Sequence, residues 1–266
     1  MTRIERFGWR GEPGPGIGRV VRAHGDYFHL VCDECPDGEV LARRKKSAFR
    51  DAEPPMTGDF VRFAYNPSGE SMVLEVLPRF SRFERRSPSA RRGAQTLAVN
   101  FDSLFIMMSL DRTFSLPRLE RYLALAEGVG EAEVVVVLTK CDLPGADELV
   151  VPESVKIPVV RMSSVTGEGM DVVRAHFAPG RTVALVGSSG VGKSTLVNAL
   201  AGGGVAATGD VQSWSCKGRH TTTSRQLFML PDGSMVVDTP GVREIGYVGE
   251  VDAVLAKGES THRWRK

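Results

Sequence analysis

The chain has 266 residues, of which 42% are hydrophobic and 25% are charged, a composition typical of a soluble globular protein with room for two domains. No apolar run approaches the length needed to cross a bilayer, and the sequence shows no secretory signal, so we expect a cytoplasmic protein without a membrane partner. The net charge of +2 excludes neither a nucleic acid nor a small anionic ligand.

Positive charge is concentrated in the first third of the chain. Residues 1–92 hold 17 Lys and Arg against 13 Asp and Glu, whereas the remainder holds 17 against 19. The basic residues cluster in 43–46 and in 79–92. Because two such clusters occur in one region, a nucleic-acid-binding surface and an ordinary solvated surface are about equally good interpretations of them.

The N-terminal region, residues 1–80, predicts a small β-barrel. Two β-rich runs around the turn signal "AHGD" suggest a hairpin in 18–32, and residues 58–77 repeat the pattern around "NPSGE". About five short strands in so few residues favour an OB-like barrel with an RNA-binding role. The following stretch, 81–97, is rich in Arg, Ser and Pro and predicts a basic linker.

Four cysteines are too few and too scattered for a disulfide framework. Cys32 and Cys35 form a C-x-x-C pair, but no second cysteine pair or histidine pair completes four zinc ligands. We interpret them as ordinary thiols near a hairpin.

From residue 98 the pattern changes to alternating strands and helices, which predicts an α/β domain over 98–248 with a mostly parallel, doubly wound sheet. Near-continuous apolar runs predict buried strands at 101–110, 133–139, 156–163 and 181–187. Helical spacing or amphipathic pattern predicts helices at 116–129, 169–177 and 192–202. Residues 225–241 suggest a hairpin that turns at "PDGS", and 249–266 form a short tail.

The motif "TKCD" closes the second of these strands and matches the [NT]-K-x-D pattern of guanine-binding loops. The carboxylate of Asp142 can accept hydrogen bonds from guanine N1–H and N2–H₂, which adenine does not offer in that arrangement. The stem of Lys140 would lie against the base or the ribose. After the next strand, "SSVTGEG" at 163–169 offers backbone amides near Ser164 to guanine O6. The predicted guanine-binding residues are Thr139, Lys140, Cys141, Asp142, Ser163 and Ser164.

The motif "GSSGVGKST" at 187–195 matches the phosphate-binding pattern G-x-x-x-x-G-K-[ST] in full, between an apolar strand and an amphipathic helix. Its glycines let backbone N–H groups turn toward phosphate oxygens at the positive end of a helix. Lys193 would reach the β- and γ-phosphates as a catalytic residue, and Ser194 would bind Mg²⁺. The predicted phosphate-binding residues are Gly187, Ser188, Ser189, Gly190, Val191, Gly192, Lys193, Ser194, Thr195 and Gly241.

Two further motifs follow at the spacing expected of a nucleotide hydrolase. The first, "DTPG", ends an apolar strand, so Asp238 would hold Mg²⁺ and the Gly241 amide would face the γ-phosphate. The second, the polar segment 216–226, predicts a switch that a γ-phosphate and Mg²⁺ would order. One of its three successive threonines, 221–223, would complete the Mg²⁺ shell, and we favour Thr222.

The water-activating group is less defined by the sequence. Val242 stands where many GTPases place a glutamine, so we expect slow intrinsic turnover. His220 is a candidate for positioning water, although a solvent-exposed loop histidine is the more common outcome by about two to one.

The motifs occur in the order "TKCD", "SSVTG", "GSSGVGKS", "HTTT" and "DTPG", which is a rotation of the usual GTPase order. A circular permutation explains it, since domain termini often lie close together. In these motifs the chain resembles the ribosome-small-subunit-dependent GTPase family (RsgA, also called YjeQ), over residues from about 16 to about 250. The resemblance implies an OB barrel followed by a circularly permuted P-loop GTPase domain. It also implies a monomeric factor that hydrolyses GTP with Mg²⁺ to GDP and binds the small (30S) ribosomal subunit and its rRNA late in assembly.

One departure concerns zinc. Members of that family carry a C-terminal zinc domain with three cysteines and one histidine, but this sequence has no cysteine after Cys216. His262 therefore has no thiol partners, and we expect no zinc site in this chain, whose tail is truncated relative to the family. Two other functions remain as hypotheses, a P-loop ATPase in which "TKCD" has no role and a nucleotide-gated RNA-binding module with little turnover.

Overall fold

The computed structural model describes residues 1–35, 38–50, 52–86, 94–202 and 225–238. A short helix, α1 (Arg3–Arg6), opens the chain, with a capping box between Thr2 and Glu5. Five strands then close into a barrel in the order β1-β2-β3-β5-β4. Their bounds are β1 Ile17–His24, β2 Tyr27–Cys32, β3 Val40–Arg44, β4 Phe60–Ala64 and β5 Ser71–Val76. The predicted OB-like barrel is confirmed.

Alternating apolar residues fill the interior of the barrel. Phe28 and Leu30 of β2 point inward with Val20, Val61 and Val73, and all five are buried. The register of β1 against β2 shifts between Val20 and Arg22, a bulge of the kind that bends strands at barrel corners. The parallel pairing of β3 with β5 completes the closure of the barrel.

The stretch that the sequence predicts as a linker contains a two-stranded antiparallel ribbon. Its strands are β6 (Arg82–Arg86) and β7 (Ala94–Val99). Phe83 and Leu97 are buried in the core of the following domain, so the ribbon packs against that domain. The sequence did not predict this ribbon, because β6 has only one apolar residue. Its other residues are charged, so it lacks the alternation of apolar and polar residues that indicates a strand.

The second part of the chain is an α/β domain built on six strands in the order β10-β9-β8-β11-β13-β12. All neighbours pair in parallel except β12 with β13. The strands are β8 Ser103–Ser109, β9 Glu133–Thr139, β10 Val159–Met162, β11 Thr182–Val186, β12 Leu227–Met229 and β13 Met235–Asp238. The helices are α2 Leu116–Ala126, α3 Met170–Arg174 and α4 Lys193–Leu200, with 3₁₀ turns at Lys46–Phe49 in the barrel and Ala146–Glu148 here. The predicted doubly wound sheet is confirmed.

The sheet is buried on both faces, as its continuous apolar strands require. Along β8, Phe105 and Met107 point to one apolar cluster, while Leu104, Ile106 and Met108 point to the other. No helix within the described ranges is both long and apolar enough to cross a bilayer.

The barrel and the α/β domain share one apolar core. Val21 and Val31 of the barrel pack in the same cluster as Leu227 and Met235 of the β12–β13 hairpin. An isolated bridge pairs Arg22 with Gln226 at the same boundary. The two domains are therefore in direct contact through the strands β1 and β12.

Arg19 lies at the centre of this boundary with 1% of its surface exposed. Its guanidinium donates to the carbonyl oxygens of Phe7 at 2.5 Å and Asn100 at 2.7 Å, and lies 4.8 Å from the ring centroid of Phe60. Burial lowers the pKa of Arg19 to about 10, so the side chain is still charged at neutral pH. A cation with this many partners holds the N-terminal helix, the barrel and the α/β domain together.

Candidate nucleotide-binding site

Three loops predicted to bind nucleotide meet at one edge of the sheet. Thr139 is in register with both Ser109 and Met162, so β8, β9 and β10 end at the same level. The next strand over, β11, leads directly into Gly187. Because the carboxyl ends of parallel strands share an edge, the loops at 139–142, 163–169 and 187–192 are neighbours.

The loop at 187–192 has a backbone that favours glycine at three positions. Gly190 and Gly192 have positive φ angles of 78° and 99°. A Cβ at Gly187 would lie only 2.6 Å from the carbonyl oxygen of Met107. These glycines therefore set the conformation of the loop that precedes the N-terminus of α4, where an anion is favoured.

Lys193, the first residue of α4, folds back over this loop. Its Nζ donates to the carbonyl oxygens of Gly187 at 2.8 Å and Ser188 at 2.9 Å. A half-buried ammonium held above the loop by backbone carbonyls can exchange them for phosphate oxygens. The hydroxyl-bearing residues Ser194 and Thr195 are exposed on the first turn of α4, where a metal ion could reach them.

Thr139 connects the predicted guanine-binding loop to the phosphate-binding loop. Its hydroxyl donates to the carbonyl oxygen of Val191 at 2.6 Å, and the carbonyl oxygen of Met108 lies 3.3 Å away. Thr139 is only 3% exposed. A side chain from the end of β9 thus supports the backbone of the loop after β11.

Lys140 follows in a left-handed backbone conformation, with a φ of 61° that is unusual for a residue with a side chain. Its Nζ forms an ion pair with the carboxylate of Asp111 at 2.8 Å. Desolvation alone would raise the pKa of Asp111, but hydrogen bonds from Lys140, Thr113 and Ser109 outweigh it and hold the pKa well below its usual range. Asp111 is therefore a stable anion beside the predicted base-binding lysine.

The loop at 163–169 is organised around the buried hydroxyl of Ser163. Its Oγ accepts hydrogen bonds from the amides of Val165 at 3.1 Å and Thr166 at 3.2 Å, and the Ser163 amide donates to Glu168. A Cβ at Gly169 would lie 2.0 Å from the carbonyl oxygen of Arg161, so only glycine fits. Ser164, whose amide is predicted to donate to guanine O6, is partly exposed beside this turn.

Asp142 and Cys141 occupy the open side of the guanine-binding loop. Asp142 is exposed, and Cys141 is partly buried with its amide donating to the carbonyl oxygen of Met162 at 3.3 Å. Burial, with the nearby Glu168 carboxylate, raises the pKa of the Cys141 thiol. The thiol is therefore neutral at physiological pH, and the predicted role of Asp142 as the acceptor for guanine stays a prediction.

Several predicted site residues lie outside the described part of the chain. These are the switch residues His220, Thr221, Thr222 and Thr223, together with Gly241, Val242 and His262. For Asp238 the structure gives the backbone, which pairs with Leu185 of β11 and so ends close to the start of the phosphate-binding loop. Within the described ranges no group of three or more His, Cys, Asp or Glu side chains forms a metal site. Cys32, which is buried, and Cys35 are free thiols.

Asp111, which contacts the predicted base-binding lysine, was not among the residues predicted from the sequence. It comes two residues after the end of β8, at the edge of the sheet where Thr139 and Gly187 also lie. That position was available from the predicted strand at 101–110. The missing information was that a lysine on the neighbouring loop would reach it.

Comparison with known proteins decides the family. The model of the RsgA GTPase family matches residues 76–248, about two thirds of the chain. The chain belongs to the RsgA GTPase family. The matched region contains all five nucleotide-binding motifs, in the permuted order read from the sequence.

Relatives within the RsgA family match most of this chain. The "small ribosomal subunit biogenesis GTPase RsgA 2" of Lactiplantibacillus plantarum is 40% identical over 92% of this chain and 71% of its own length. The "small ribosomal subunit biogenesis GTPase RsgA" of Methanosarcina acetivorans is 40% identical over 86% of this chain and 62% of its own length. The chain thus spans roughly two thirds of the length of such relatives.

Two solved structures share the architecture. The crystal structure of YjeQ from Thermotoga maritima is 26% identical, with a TM-score of 0.59 over 85% of this chain and 74% of that one. The structure of YloQ, described as a circularly permuted GTPase, is 20% identical with a TM-score of 0.54 over 87% and 73%. The second likeness supports the circularly permuted fold alone.

Proposed function

We propose that this protein hydrolyses GTP and acts as an assembly factor for the small ribosomal subunit. The observation that carries the proposal is the hydrogen bond from Thr139 to Val191, which joins a guanine-specific motif to a phosphate-binding loop. A site that contacts both ends of one ligand fits a guanosine nucleotide. The names of the relatives supply the partner, the small ribosomal subunit; we add contact with its rRNA as part of the proposal.

In this proposal the chain binds GTP through three sets of groups. The Asp142 carboxylate accepts from guanine N1–H and N2–H₂, and amides near Ser164 donate to O6. The backbone amides of 187–192 and the N-terminus of α4 hold the phosphates. Lys193 exchanges its bonds to Gly187 and Ser188 for bonds to the β- and γ-phosphate oxygens.

We propose Mg²⁺ as the cofactor, with the exposed Ser194 on the first turn of α4 as one ligand. Ser194 would bind it with Thr222 and Asp238, since hydroxyl and carboxylate oxygens suit this hard cation. The ion would neutralise charge on the transferred phosphoryl group, and Gly241 would donate its amide to the γ-phosphate. We propose His220 as the group that orients water, because Val242 has no polar atom for that task.

The proposed cellular role extends these steps. The protein acts as a cytoplasmic monomer whose nucleotide state controls its contact with rRNA, through the barrel and its basic residues 43–46. Without a glutamine after Gly241, turnover of the isolated protein is slow and the subunit supplies the missing stimulation.

Nucleotide competition tests the proposed specificity. GDP and GTP should bind at least about a hundredfold more tightly than ADP and ATP, since a site whose polar groups lose their partners rejects the wrong ligand strongly. Asp142→Asn should remove this preference and favour xanthosine diphosphate, whose O2 can accept from the new amide. Equal binding of ADP and GDP would instead support the P-loop ATPase hypothesis.

Turnover measured with and without purified small subunits tests the proposed activity. We expect GTP hydrolysis to rise at least about tenfold when subunits are added, a threshold set well below the roughly 10³-fold or more that one added stabilising group can supply. A His220→Ala variant should lose the stimulated rate and keep nucleotide affinity. If the wild-type protein binds subunits in a GTP-dependent way but never hydrolyses GTP, it is a nucleotide-gated RNA-binding module.

A further inference from the structure

Asp111 is held in place before any ligand is considered. Its Oδ1 accepts hydrogen bonds from the Thr113 amide at 2.8 Å, the Thr113 hydroxyl at 2.6 Å and the Ser109 hydroxyl at 3.1 Å. Its other oxygen, Oδ2, accepts from Lys140 Nζ at 2.8 Å. The loop after β8 thus presents one oriented carboxylate oxygen to the loop after β9.

Lys140 is fixed at both ends by the same arrangement. The backbone of Lys140 is in the left-handed region. The residues on either side are held by hydrogen bonds, since the Thr139 carbonyl oxygen accepts from the Leu110 amide at 2.8 Å and the Cys141 amide donates to the carbonyl oxygen of Met162. The tip of Lys140 is set by Asp111. The methylene stem between these two points is therefore restrained, although a free lysine side chain has many rotamers.

We propose that Asp111 is a positioning residue for guanine binding, which acts by restraining Lys140 so that its stem offers a ready surface to the base. This inference rests on the proposed function, and it adds to that function a residue that determines nucleotide affinity. The ligand class is a guanine nucleotide, and the affected part is the base and ribose, not the phosphates. A restrained stem loses less rotational freedom when the base binds, which is a gain from preorganisation.

An ordinary surface salt bridge does not account for this geometry. The side chains of Lys140 and Asp111 are 36% and 20% exposed, and a pair of that exposure adds little to stability. The local hydrogen bonds from Ser109 and Thr113 stabilise the turn after β8, and they also fix the direction of the carboxylate. The oxygen that they leave, Oδ2, is the one directed at Lys140 Nζ.

The test compares Asp111→Ala with wild type for two ligands, GDP and inorganic pyrophosphate, by isothermal titration calorimetry. We expect about a five- to tenfold weaker affinity for GDP, in line with the rotamer freedom returned to one lysine. Pyrophosphate has no base and should bind with unchanged affinity. Asp111→Asn keeps the shape of the side chain but not its charge. Its affinity for GDP should lie between those of wild type and Asp111→Ala. The exposed Glu120 on α2 provides the matched control, and Glu120→Gln should bind both ligands as wild type does.

A double-mutant cycle with Lys140→Met shows whether Asp111 acts through Lys140. Lys140→Met keeps the stem and removes the ammonium, so adding Asp111→Ala should then cause no further loss of GDP affinity. Additive losses, an unchanged GDP affinity in Asp111→Ala, or an equal loss for pyrophosphate would each overturn the inference. If Asp111→Ala does not fold, as its thermal unfolding would reveal, the same comparisons apply to Asp111→Asn.

The same titrations separate the two proposals. Wild-type protein that binds ADP as tightly as GDP overturns the proposed function and this inference together. Wild-type protein that prefers GDP, with no effect of Asp111→Ala, overturns only the inference.

Discussion

The Thr139 hydroxyl donates to the carbonyl oxygen of Val191 at 2.6 Å, across two loops that are 52 residues apart in the chain. Thr139 belongs to the guanine-specific motif and Val191 to the phosphate-binding loop. Because both atoms are buried, the bond has no competition from water and ties the two halves of the site together. Thr139 is therefore a structural link within the site and need not touch the nucleotide itself.

Thr139→Val should weaken nucleotide binding and stability together. The variant keeps the shape but leaves the Val191 carbonyl without its donor, which should lower the free energy of unfolding by about 1–3 kcal/mol. We expect GDP affinity to fall by about three- to tenfold, as measured by calorimetry. Thr139→Ser, which retains the hydroxyl, is the control. It should keep most of the wild-type stability and most of the affinity for GDP. Equal losses in the two variants would mean that the methyl group matters and the hydrogen bond does not.

Gly169 and Gly145 form a matched pair for testing the loop at 163–169. Both have positive φ angles, but only at Gly169 would a Cβ meet the backbone, 2.0 Å from the carbonyl oxygen of Arg161. Gly145→Ala should lower the unfolding free energy by about 1–2 kcal/mol from backbone strain alone. Gly169→Ala should lower the unfolding free energy by at least about 1 kcal/mol more than Gly145→Ala does. It should also weaken GDP binding, since the loop must shift. Thermal unfolding and calorimetry measure both effects, and similar results for the two variants would contradict the prediction.

Arg79 and Asp59 form a buried ion pair at the start of the ribbon that joins the domains. Arg79 Nε and Nη2 donate to the two oxygens of Asp59, at 2.7 and 2.8 Å, and the Asp59 side chain is fully buried. Arg79→Leu should lower the unfolding free energy by about 3–5 kcal/mol, because it leaves a buried carboxylate unpaired. Arg62→Leu breaks an exposed pair with Glu75 and should cost at most about 1 kcal/mol in urea unfolding.

The Arg79→Leu variant should also become more sensitive to pH. Burial raises the pKa of Asp59, and without Arg79 nothing of comparable strength opposes that rise. The folded variant then holds a proton that the unfolded chain, with a carboxyl pKa of about 3.9, releases. Stability should therefore fall as pH rises from about 4 toward the raised pKa, and the deficit relative to wild type should be smaller at pH 5 than at pH 7. A deficit that does not change between these two pH values would show that Asp59 keeps an ordinary pKa.

Arg19→Met should destabilise the whole chain and not the barrel alone. The substitution removes the donors to Phe7 and Asn100 and leaves one buried and one partly buried carbonyl oxygen without this partner, at about 2–4 kcal/mol together. Circular dichroism during urea unfolding should show one transition shifted to lower denaturant. Arg50→Met, at an exposed position of the barrel, is the control and should change stability by less than about 0.5 kcal/mol. An unshifted transition in Arg19→Met would contradict the structural role given to this arginine.

Much of the site could be predicted because its parts are local in sequence. Each predicted loop follows an apolar strand, and parallel strands bring their carboxyl ends to one edge whatever their order in the chain. That is why the loops after β9, β10 and β11 lie at one edge of the sheet, although their roles in nucleotide binding stay predictions. The circularly permuted order of the motifs could also be recognised from the sequence, because each motif can be identified on its own, whatever its order in the chain.

What the sequence did not reveal depends on contacts between distant segments. Arg19 stands in an apolar run of β1 and resembles an outward-facing strand residue, yet packing of the second domain buries it. The ribbon of β6 and β7 has a charged first strand, so only pairing with β7 identifies it. Asp111 resembles an ordinary turn aspartate until Lys140 reaches it from the neighbouring loop.

The burial of Arg19 has a consequence for the order in which the protein is made. Arg19 is 3.5 Å from the sulfur of Met235, a residue synthesised 216 positions later. All five barrel strands are synthesised well before that strand. Until then Val21 and Val31 lack their apolar contacts with the cluster residues Leu227 and Met235. The first strand of the barrel thus acquires its last neighbours only after β12 and β13 have been synthesised.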